Sequence, residues 1–190
     1  MSNKALIVID FINDIVHPEG KISQEIAPQV QKNEVIAHAN KAIEHFRKQS
    51  LPVIFVKVGF SSAYIEQPKN SPIFGLADQY KALELGAWGT EYHKDLDVLT
   101  SDYSVVKNRI NPFYNTSLAT VLSANNIDEV FMCGVSTNWA VHSAVMEAHD
   151  RDFKVNVIED ACAAANETNH NASIETLSRV ASIVKTTDLL

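Results

Sequence analysis

The stretch Ala5-Leu-Ile-Val-Ile-Asp10 decides the fold class. Its five apolar residues run without a polar interruption, and three of them are β-branched. A strand with one solvated face would alternate apolar and polar residues, so this run predicts a strand that is buried on both faces. Strands of this kind are typical of parallel sheets that helices cover on each side. Asp10 then stands at the carboxyl end of the predicted strand.

Similar runs recur along the chain and predict further strands. They span residues 52–57, 103–106, 129–133, 153–158 and, with a weaker pattern, 181–184. Helical periodicity lies between them, over residues 30–49, 117–125, 137–150 and 174–180. Alternation of strand and helix predicts right-handed crossovers. We therefore expect a three-layer α/β/α fold with a six-stranded, mostly parallel sheet, and one domain over residues 1–190.

Composition excludes several classes of function. Asp and Glu outnumber Lys and Arg by 23 to 16, and the net charge of −7 disfavours binding to nucleic acid or to an anionic membrane. The first apolar run is too short for a signal-peptide core, so we expect a cytoplasmic protein. Cys133 and Cys162 lack the spacing of a zinc site or a disulfide framework. A single bridge between them stays open, although reduced thiols are favoured.

Residues 58–102 do not follow the alternation, because they combine several Pro and Gly residues with weak periodicity. Irregular stretches of this length usually form a lid, a binding wall or a subunit contact.

The catalytic candidates follow from the predicted sheet. Ligands of open parallel sheets bind outside the carboxyl ends of the strands. Three places satisfy this rule, namely Asp10, Lys107 and the turn over residues 134–141, and we expect them to meet. A carboxylate beside an ammonium in a partly dry cleft can transfer protons.

Each of these places also has a purely structural interpretation. Asp10 alone is equally well explained as a turn or cap residue, and Lys107 alone as a solvated strand end. The turn offers helix N–H groups to an oxyanion, yet simple N-capping by Ser136 or Thr137 explains its composition at least as well.

Five motifs together carry a family resemblance. They are Ile7-Val-Ile-Asp-Phe-Ile-Asn-Asp14, Gly86-Ala-Trp-Gly-Thr-Glu91, Val106-Lys-Asn-Arg109 with Pro112-Phe113, Gly134-Val-Ser-Thr-Asn138 and Glu159-Asp-Ala-Cys-Ala-Ala164. In this order they resemble the isochorismatase-like (cysteine hydrolase) superfamily over nearly the whole chain. The resemblance implies a six-stranded parallel sheet. It also implies, for many members, an Asp, Lys, Cys triad that hydrolyses amides and ureides of small metabolites.

Residue by residue, the resemblance makes Asp10 the acid/base and Lys107 the cation. It implies a cis peptide bond between Val135 and Ser136, whose flanking N–H groups form an oxyanion hole. The position of the family's nucleophilic thiol, six residues after the Gly, is Ala140 here. A methyl group cannot form a thioester, so the usual covalent mechanism is removed.

The remaining candidates are weaker. Phe11, Trp88, Phe113 and Trp139 are expected as substrate-binding walls, although core packing explains each of them equally well. For Arg109 an ion pair with a nearby acid is favoured over steering an anionic substrate.

Cysteines, metals and partners complete the expectations. Cys133, inside the fourth strand, and Cys162, in the turn after the fifth, match no catalytic position and are interpreted as structural. No metal or other cofactor is expected, because residues 57–61 lack the Asp and His cluster of related nicotinamidases. The histidine pairs 38/45 and 142/149 are interpreted as solvated. The expected partners are a small-molecule substrate and, by resemblance, further copies of the chain in a homodimer or homotetramer.

Three functions remain open from the sequence. The leading hypothesis is a hydrolase of a small metabolite that uses Asp10 acid/base chemistry without a covalent intermediate. The second is a cysteine-type amidase whose nucleophile was deliberately exchanged for Ala140. The third is a non-catalytic member that binds a small ligand.

Overall fold

The first strand lies near the centre of a six-stranded parallel sheet in the computed structural model, which describes residues 3–189. The strands are β1 (Lys4–Ile9), β2 (Val53–Val58), β3 (Tyr103–Lys107), β4 (Glu129–Val135), β5 (Lys154–Ala163) and β6 (Ser182–Val184). Their order is β3-β2-β1-β4-β5-β6, and every pairing is parallel. The predicted fold class is confirmed, and β1 is buried on both faces as its apolar run requires.

Helices cover both faces of this sheet. They are α1 (Asn13–Val16), α2 (Ile26–Lys32), α3 (Val35–Lys48), α4 (Ala77–Tyr80), α5 (Leu118–Ala124), α6 (His142–Asp150) and α7 (Glu167–Leu177). Short 3₁₀ turns occupy Trp88–Thr90 and Thr186–Asp188, and a π-helical turn occupies Thr137–Val141. Right-handed crossovers place α3 on one face and α5, α6 and α7 on the other, which gives the three layers. Within the described residues, no helix is long and apolar enough to cross a membrane.

Two predicted helices have different bounds in the structure. The single helix expected over residues 30–49 is divided at Glu34, whose φ of 50° lies in the left-handed region and interrupts the helical hydrogen bonds. The helix expected over residues 174–180 begins earlier, since the Asn166 side chain accepts the Asn169 N–H at 2.8 Å and caps α7.

Strand β5 is longer than its sequence pattern indicates. A shift of register opposite Met132 and Gly134 lets it continue past the expected end at residue 158, so Cys162 lies within the strand and not in the following turn. Cys133 and Cys162 are both buried free thiols. Burial raises the pKa of Cys162 to about 12 and that of Cys133 well above its usual value, so both stay protonated.

The irregular residues 58–102 pack around a small apolar cluster of their own, separate from the main core. Its centre is the fully buried Phe60, whose ring lies 5.7 Å from that of Phe74 and 6.1 Å from that of Tyr64. Tyr64 also donates its hydroxyl to the Ala82 carbonyl at 2.9 Å. Side-chain packing therefore orders a stretch that has little regular secondary structure.

Candidate active site

The candidate site lies where the direction of the chain through the sheet reverses. From β1 the chain continues to β2 on one side, and from β4 it continues to β5 on the other, so a crevice opens between the carboxyl ends of β1 and β4. Gly134 of β4 pairs with Ile9 there. Its φ is +137°, and a Cβ at this position would lie 2.1 Å from the Ile9 carbonyl oxygen. Only glycine permits this close approach.

Asp10 connects the ends of three strands. Its φ of 60° turns the chain away from β1, and its backbone N–H donates to the Val56 carbonyl at 2.8 Å. Its Oδ1 accepts the Val58 N–H at 2.8 Å, and its Oδ2 lies 2.7 Å from Nζ of Lys107 at the end of β3. The carboxylate is thus held in one orientation by β2 and β3.

This ion pair is almost completely buried, with 3% of Asp10 and 1% of Lys107 exposed. Burial raises the pKa of Asp10 above its usual value, while the Lys107 ammonium and the Val58 N–H lower it in part. A carboxyl group whose pKa is moved towards neutrality can both accept and return a proton during a reaction. Lys107 also donates to the Arg109 carbonyl at 3.2 Å, which fixes its ammonium group.

The turn after β4 has two unusual features. The peptide bond between Val135 and Ser136 is cis. The chain then enters the π-helical turn, in which the Val141 N–H donates to the Ser136 carbonyl five residues earlier at 3.2 Å. The Ser136 side chain does not cap this turn, since its hydroxyl donates to the side-chain oxygen of Asn138.

A polar network that the sequence did not reveal holds this turn against α7. Thr137 Oγ1 lies 2.8 Å from Nδ1 of His170, and Ser173 Oγ lies 2.8 Å from Nδ1 of His142. Ser173 also donates to the Thr137 carbonyl at 3.1 Å. Four side chains thereby fix the segment that carries Ala140.

A cavity of about 650 Å³ brings these elements together. Asp10, Lys107, Val135, Ser136 and Ala140 all line it. Residues 58–102 contribute Val58, Ile73, Phe74, Tyr80 and Leu83, so this stretch forms one wall of the cavity, here called the second wall. Another wall, here called the first wall, was not predicted and consists of Ile15, Lys21, Ile22, Gln24, Glu25 and Ile26. Ile110, Trp139 and Ala165 complete the lining.

Of the four aromatic residues expected at the walls, only Trp139 lines the cavity. Phe11 comes shortly after β1 in the chain, has no exposed surface and packs in the main core. Phe113 is also buried, with the Arg151 guanidinium 5.4 Å from its ring. Trp88 is half-exposed and packs edge-on against the His17 ring at 5.0 Å. The alternative interpretation, core packing, fits Phe11 and Phe113, whereas Trp88 lies at the surface.

Asp14 is a structural residue of the site that the sequence analysis did not single out. It is 1% exposed, and its carboxylate accepts the Leu83 N–H at 2.6 Å and the Lys21 N–H at 3.2 Å. Leu83 and Lys21 belong to the two different walls, so one buried carboxylate joins the walls where they meet. Its place as the second Asp of the first motif was the only available signal.

The prediction that Arg109 forms an ion pair was wrong for the part of the chain described. Its guanidinium donates to the backbone carbonyls of Glu66 at 2.9 Å and Asn108 at 2.6 Å.

His149 is exposed, as the solvated interpretation expects, whereas one histidine of each sequence pair is partly buried and makes specific contacts. His38 contacts both Asp160 and Thr186, and His142 contacts Ser173. Between residues 3 and 189, no group of three or more His, Cys, Asp or Glu side chains is arranged to hold a metal ion.

Comparison with known proteins agrees with this architecture. The family description "Isochorismatase domain" matches residues 4–188. The uncharacterized isochorismatase family protein YecD of Escherichia coli O157:H7 is 34% identical over 173 residues, which cover 90% of this chain and 85% of that protein. The structure of N-carbamoylsarcosine amidase from Thermoplasma acidophilum is 26% identical with a TM-score of 0.78, and the match covers 98% of this chain and 97% of that one.

A second solved structure supports the fold alone. The cysteine hydrolase from Pseudomonas syringae pv. phaseolicola 1448A has a TM-score of 0.88 at 21% identity, over 98% of this chain and 90% of that one. Fold, motifs and the match over nearly the whole chain agree with one another. The chain therefore belongs to the isochorismatase family of hydrolases.

Proposed function

We propose that this protein hydrolyses a small metabolite by acid/base catalysis at Asp10, without a covalent thioester. The observation that carries the proposal is the buried Asp10–Lys107 pair, 2.7 Å apart, in the same cavity as the methyl group of Ala140. The methyl group has no nucleophilic atom. Asp10 is the cavity's buried carboxyl group, and its raised pKa suits proton transfer.

In the proposed reaction of an amide or ureide, a water molecule attacks the carbonyl carbon while ionised Asp10 accepts one of its protons. The carbonyl oxygen becomes an oxyanion, and N–H groups that flank the Val135–Ser136 peptide bond stabilise it. Protonated Asp10 then gives its proton to the leaving nitrogen as the carbon–nitrogen bond breaks. The ammonium of Lys107 favours return of Asp10 to the ionised form.

For a vinyl ether the order of proton transfers is reversed. Protonated Asp10 first donates to the double bond, and its carboxylate then accepts a proton from the water that adds to the resulting cation. The hemiketal or hemiacetal formed in this way then breaks its ether carbon–oxygen bond, which releases an alcohol and a carbonyl product. Asp10 and water serve both reactions, so the substrates tested must include amides and ureides as well as vinyl ethers.

The test compares the wild type with Asp10→Asn on a panel of amides, ureides and vinyl ethers. Loss of the acid/base should lower kcat/KM by roughly 10²–10⁴-fold on any substrate that the wild type turns over. Asp150→Asn, an exposed carboxylate outside the cavity lining, is the matched control and should leave turnover unchanged. Unchanged turnover by Asp10→Asn would contradict the proposal.

A second candidate is a cysteine-type amidase whose nucleophile was exchanged for alanine. The observation that favours it is the position of Ala140, buried and on the lining of the Asp10 cavity, together with the similarity to an amidase structure. Ala140→Cys should then hydrolyse amides that the protein with Ala140 does not hydrolyse. Ala165→Cys places a thiol elsewhere on the same lining and should remain inactive.

The two variants separate the candidates. Activity confined to Ala140→Cys supports the amidase and contradicts direct hydrolysis. Binding of metabolites without turnover by either form contradicts both and favours a non-catalytic binding protein. Assembly into a homodimer or homotetramer stays a prediction, which measurement of the mass in solution checks.

A further inference from the structure

Large apolar side chains surround the mouth of the cavity although they are accessible to water. Ile22 is 41% exposed, Ile73 47%, Trp139 53% and Tyr80 61%, and all of them line the cavity. They come from three separate segments of the chain, namely residues 15–26 of the first wall, residues 58–102 of the second wall and the π-helical turn. Apolar surface that converges on a concave site is typical of places that a ligand removes from water.

The charged side chains of the described lining are two acids and two lysines. Asp10 and Lys107 form their own ion pair in the interior. Lys21 and Glu25 have opposite charges and lie exposed at the rim, where Nζ of Lys21 donates to the Lys81 carbonyl at 2.5 Å. No arginine lines the cavity within the described part of the chain. A substrate carboxylate between the floor and the rim would therefore have no cation of its own, and burying it unpaired is costly.

Apolar side chains make up most of the remaining lining, in which Gln24 is polar. Ile15, Val58, Leu83 and Ile110 form the sides of the cavity. A volume of about 650 Å³ lies within the range of sites that enclose a ligand of many atoms, so a one-carbon or two-carbon amide would leave most of it to water.

We propose that the substrate of this site carries an uncharged, apolar group several carbons long, which runs from the carbonyl at Asp10 to the mouth formed by Ile22, Ile73, Tyr80 and Trp139. The proposal names the substrate class of the hydrolysis proposed above and rests on it. Ile22 and Ile73 would determine specificity for the length of that group, since both are exposed and line the cavity from different segments of the chain.

Binding of methyl ketones tests this class without any turnover, because they present a carbonyl group but contain no hydrolysable bond. Trp88→Phe leaves Trp139 as the single tryptophan, and its fluorescence reports occupation of the cavity. We expect the affinity to rise roughly fourfold per added methylene from 2-butanone to 2-heptanone. We expect 4-oxopentanoate, which replaces the terminal methyl of 2-pentanone by a carboxylate and so places the charge between the floor and the rim, to bind at least about tenfold more weakly than 2-pentanone.

Variants at the mouth provide the second measurement. Ile22→Ser and Ile73→Ser should each weaken 2-heptanone several-fold and leave 2-butanone unchanged. Ile65→Ser, at an 84% exposed isoleucine outside the lining, is the matched control and should change neither.

The outcomes separate this proposal from the proposed function. Binding of 4-oxopentanoate as tight as that of 2-pentanone or tighter, an affinity independent of chain length, or no binding of 2-heptanone would overturn the substrate class. A change in oligomeric mass caused by Ile22→Ser or Ile73→Ser, with unchanged ketone affinity, would also overturn the substrate class. The mouth would then be a contact between copies of the chain. Turnover that survives Asp10→Asn, with the ketone preference intact, would overturn only the hydrolytic mechanism.

Discussion

Replacing Lys107 by methionine should destabilise the protein in a pH-dependent way. The substitution keeps much of the side-chain volume but leaves the carboxyl group of Asp10 buried without its cation, which is 2.7 Å away in the wild type. Removal of one partner of a buried ion pair costs about 3–5 kcal/mol when the other partner stays charged. We expect a deficit of this size at alkaline pH.

The deficit should shrink as the pH falls. Lys107 lowers the Asp10 pKa in the wild type, so Lys107→Met raises a pKa that burial already holds above 3.8. Between the wild-type pKa and the higher pKa of the variant, only the folded variant binds the extra proton. The deficit then grows with pH by about 1.4 kcal/mol per unit. Below both pKa values Asp10 is neutral in each protein, and the deficit should not exceed about 1 kcal/mol, the contribution of the lost hydrogen bond to the Arg109 carbonyl. The wild type then buries the Lys107 ammonium without its anion, which lowers the deficit further.

Urea denaturation of both proteins between roughly pH 4 and pH 9 measures this dependence. The double variant Asp10→Asn/Lys107→Met has no carboxyl group to titrate, so its stability should lack the additional loss at high pH. A deficit of Lys107→Met that is constant with pH, or greatest at the acidic end, would refute the reasoning.

Three further predictions concern the structure around the site. Gly134→Ala should lower the free energy of unfolding by about 3 kcal/mol or more, because the added Cβ would meet the Ile9 carbonyl oxygen. Gly86→Ala, at φ +85° with no atom within 4 Å of the added Cβ, should lower it by only about 1–2 kcal/mol, and thermal denaturation measures both. Asp14→Ala leaves the Lys21 and Leu83 N–H groups without their acceptor, so it should lower the free energy of unfolding by about 2–3 kcal/mol and raise KM. Asp95→Ala, at an exposed carboxylate, is the control and should change neither quantity. Ser173→Ala should lower stability by about 1 kcal/mol and speed hydrogen exchange in the π-helical turn, and unchanged exchange would show that the network does not hold the turn.

Local pattern was sufficient for the sheet and for the edge at which the site lies. A strand buried on both faces needs an uninterrupted apolar run, and each such run became a strand at or near its predicted position. Because parallel strands end at one edge, Asp10, Lys107 and Ala140 were expected together before any distance was known, and the structure brings all three to one cavity.

Helix bounds and strand ends depended on signals that are weaker in sequence. The break at Glu34 comes from one left-handed residue in an otherwise continuous helical pattern. The extension of β5 to Ala163 depends on its register with β4, which no pattern within β5 contains. Such features are decided by partners far away in the chain.

The sequence by itself determined the layered fold, the family and the placement of Asp10, Lys107 and Ala140, because all of these follow from short-range patterns and from strand ends. Only the tertiary structure decided what surrounds them. Phe11 packs in the core, and side-chain packing orders residues 58–102 as the second wall. The Asp14 carboxylate connects the first wall with the second. The direction of a side chain after a strand, and the course of a stretch without periodicity, are set by contacts between distant segments, which is why the lining of the cavity required the structure.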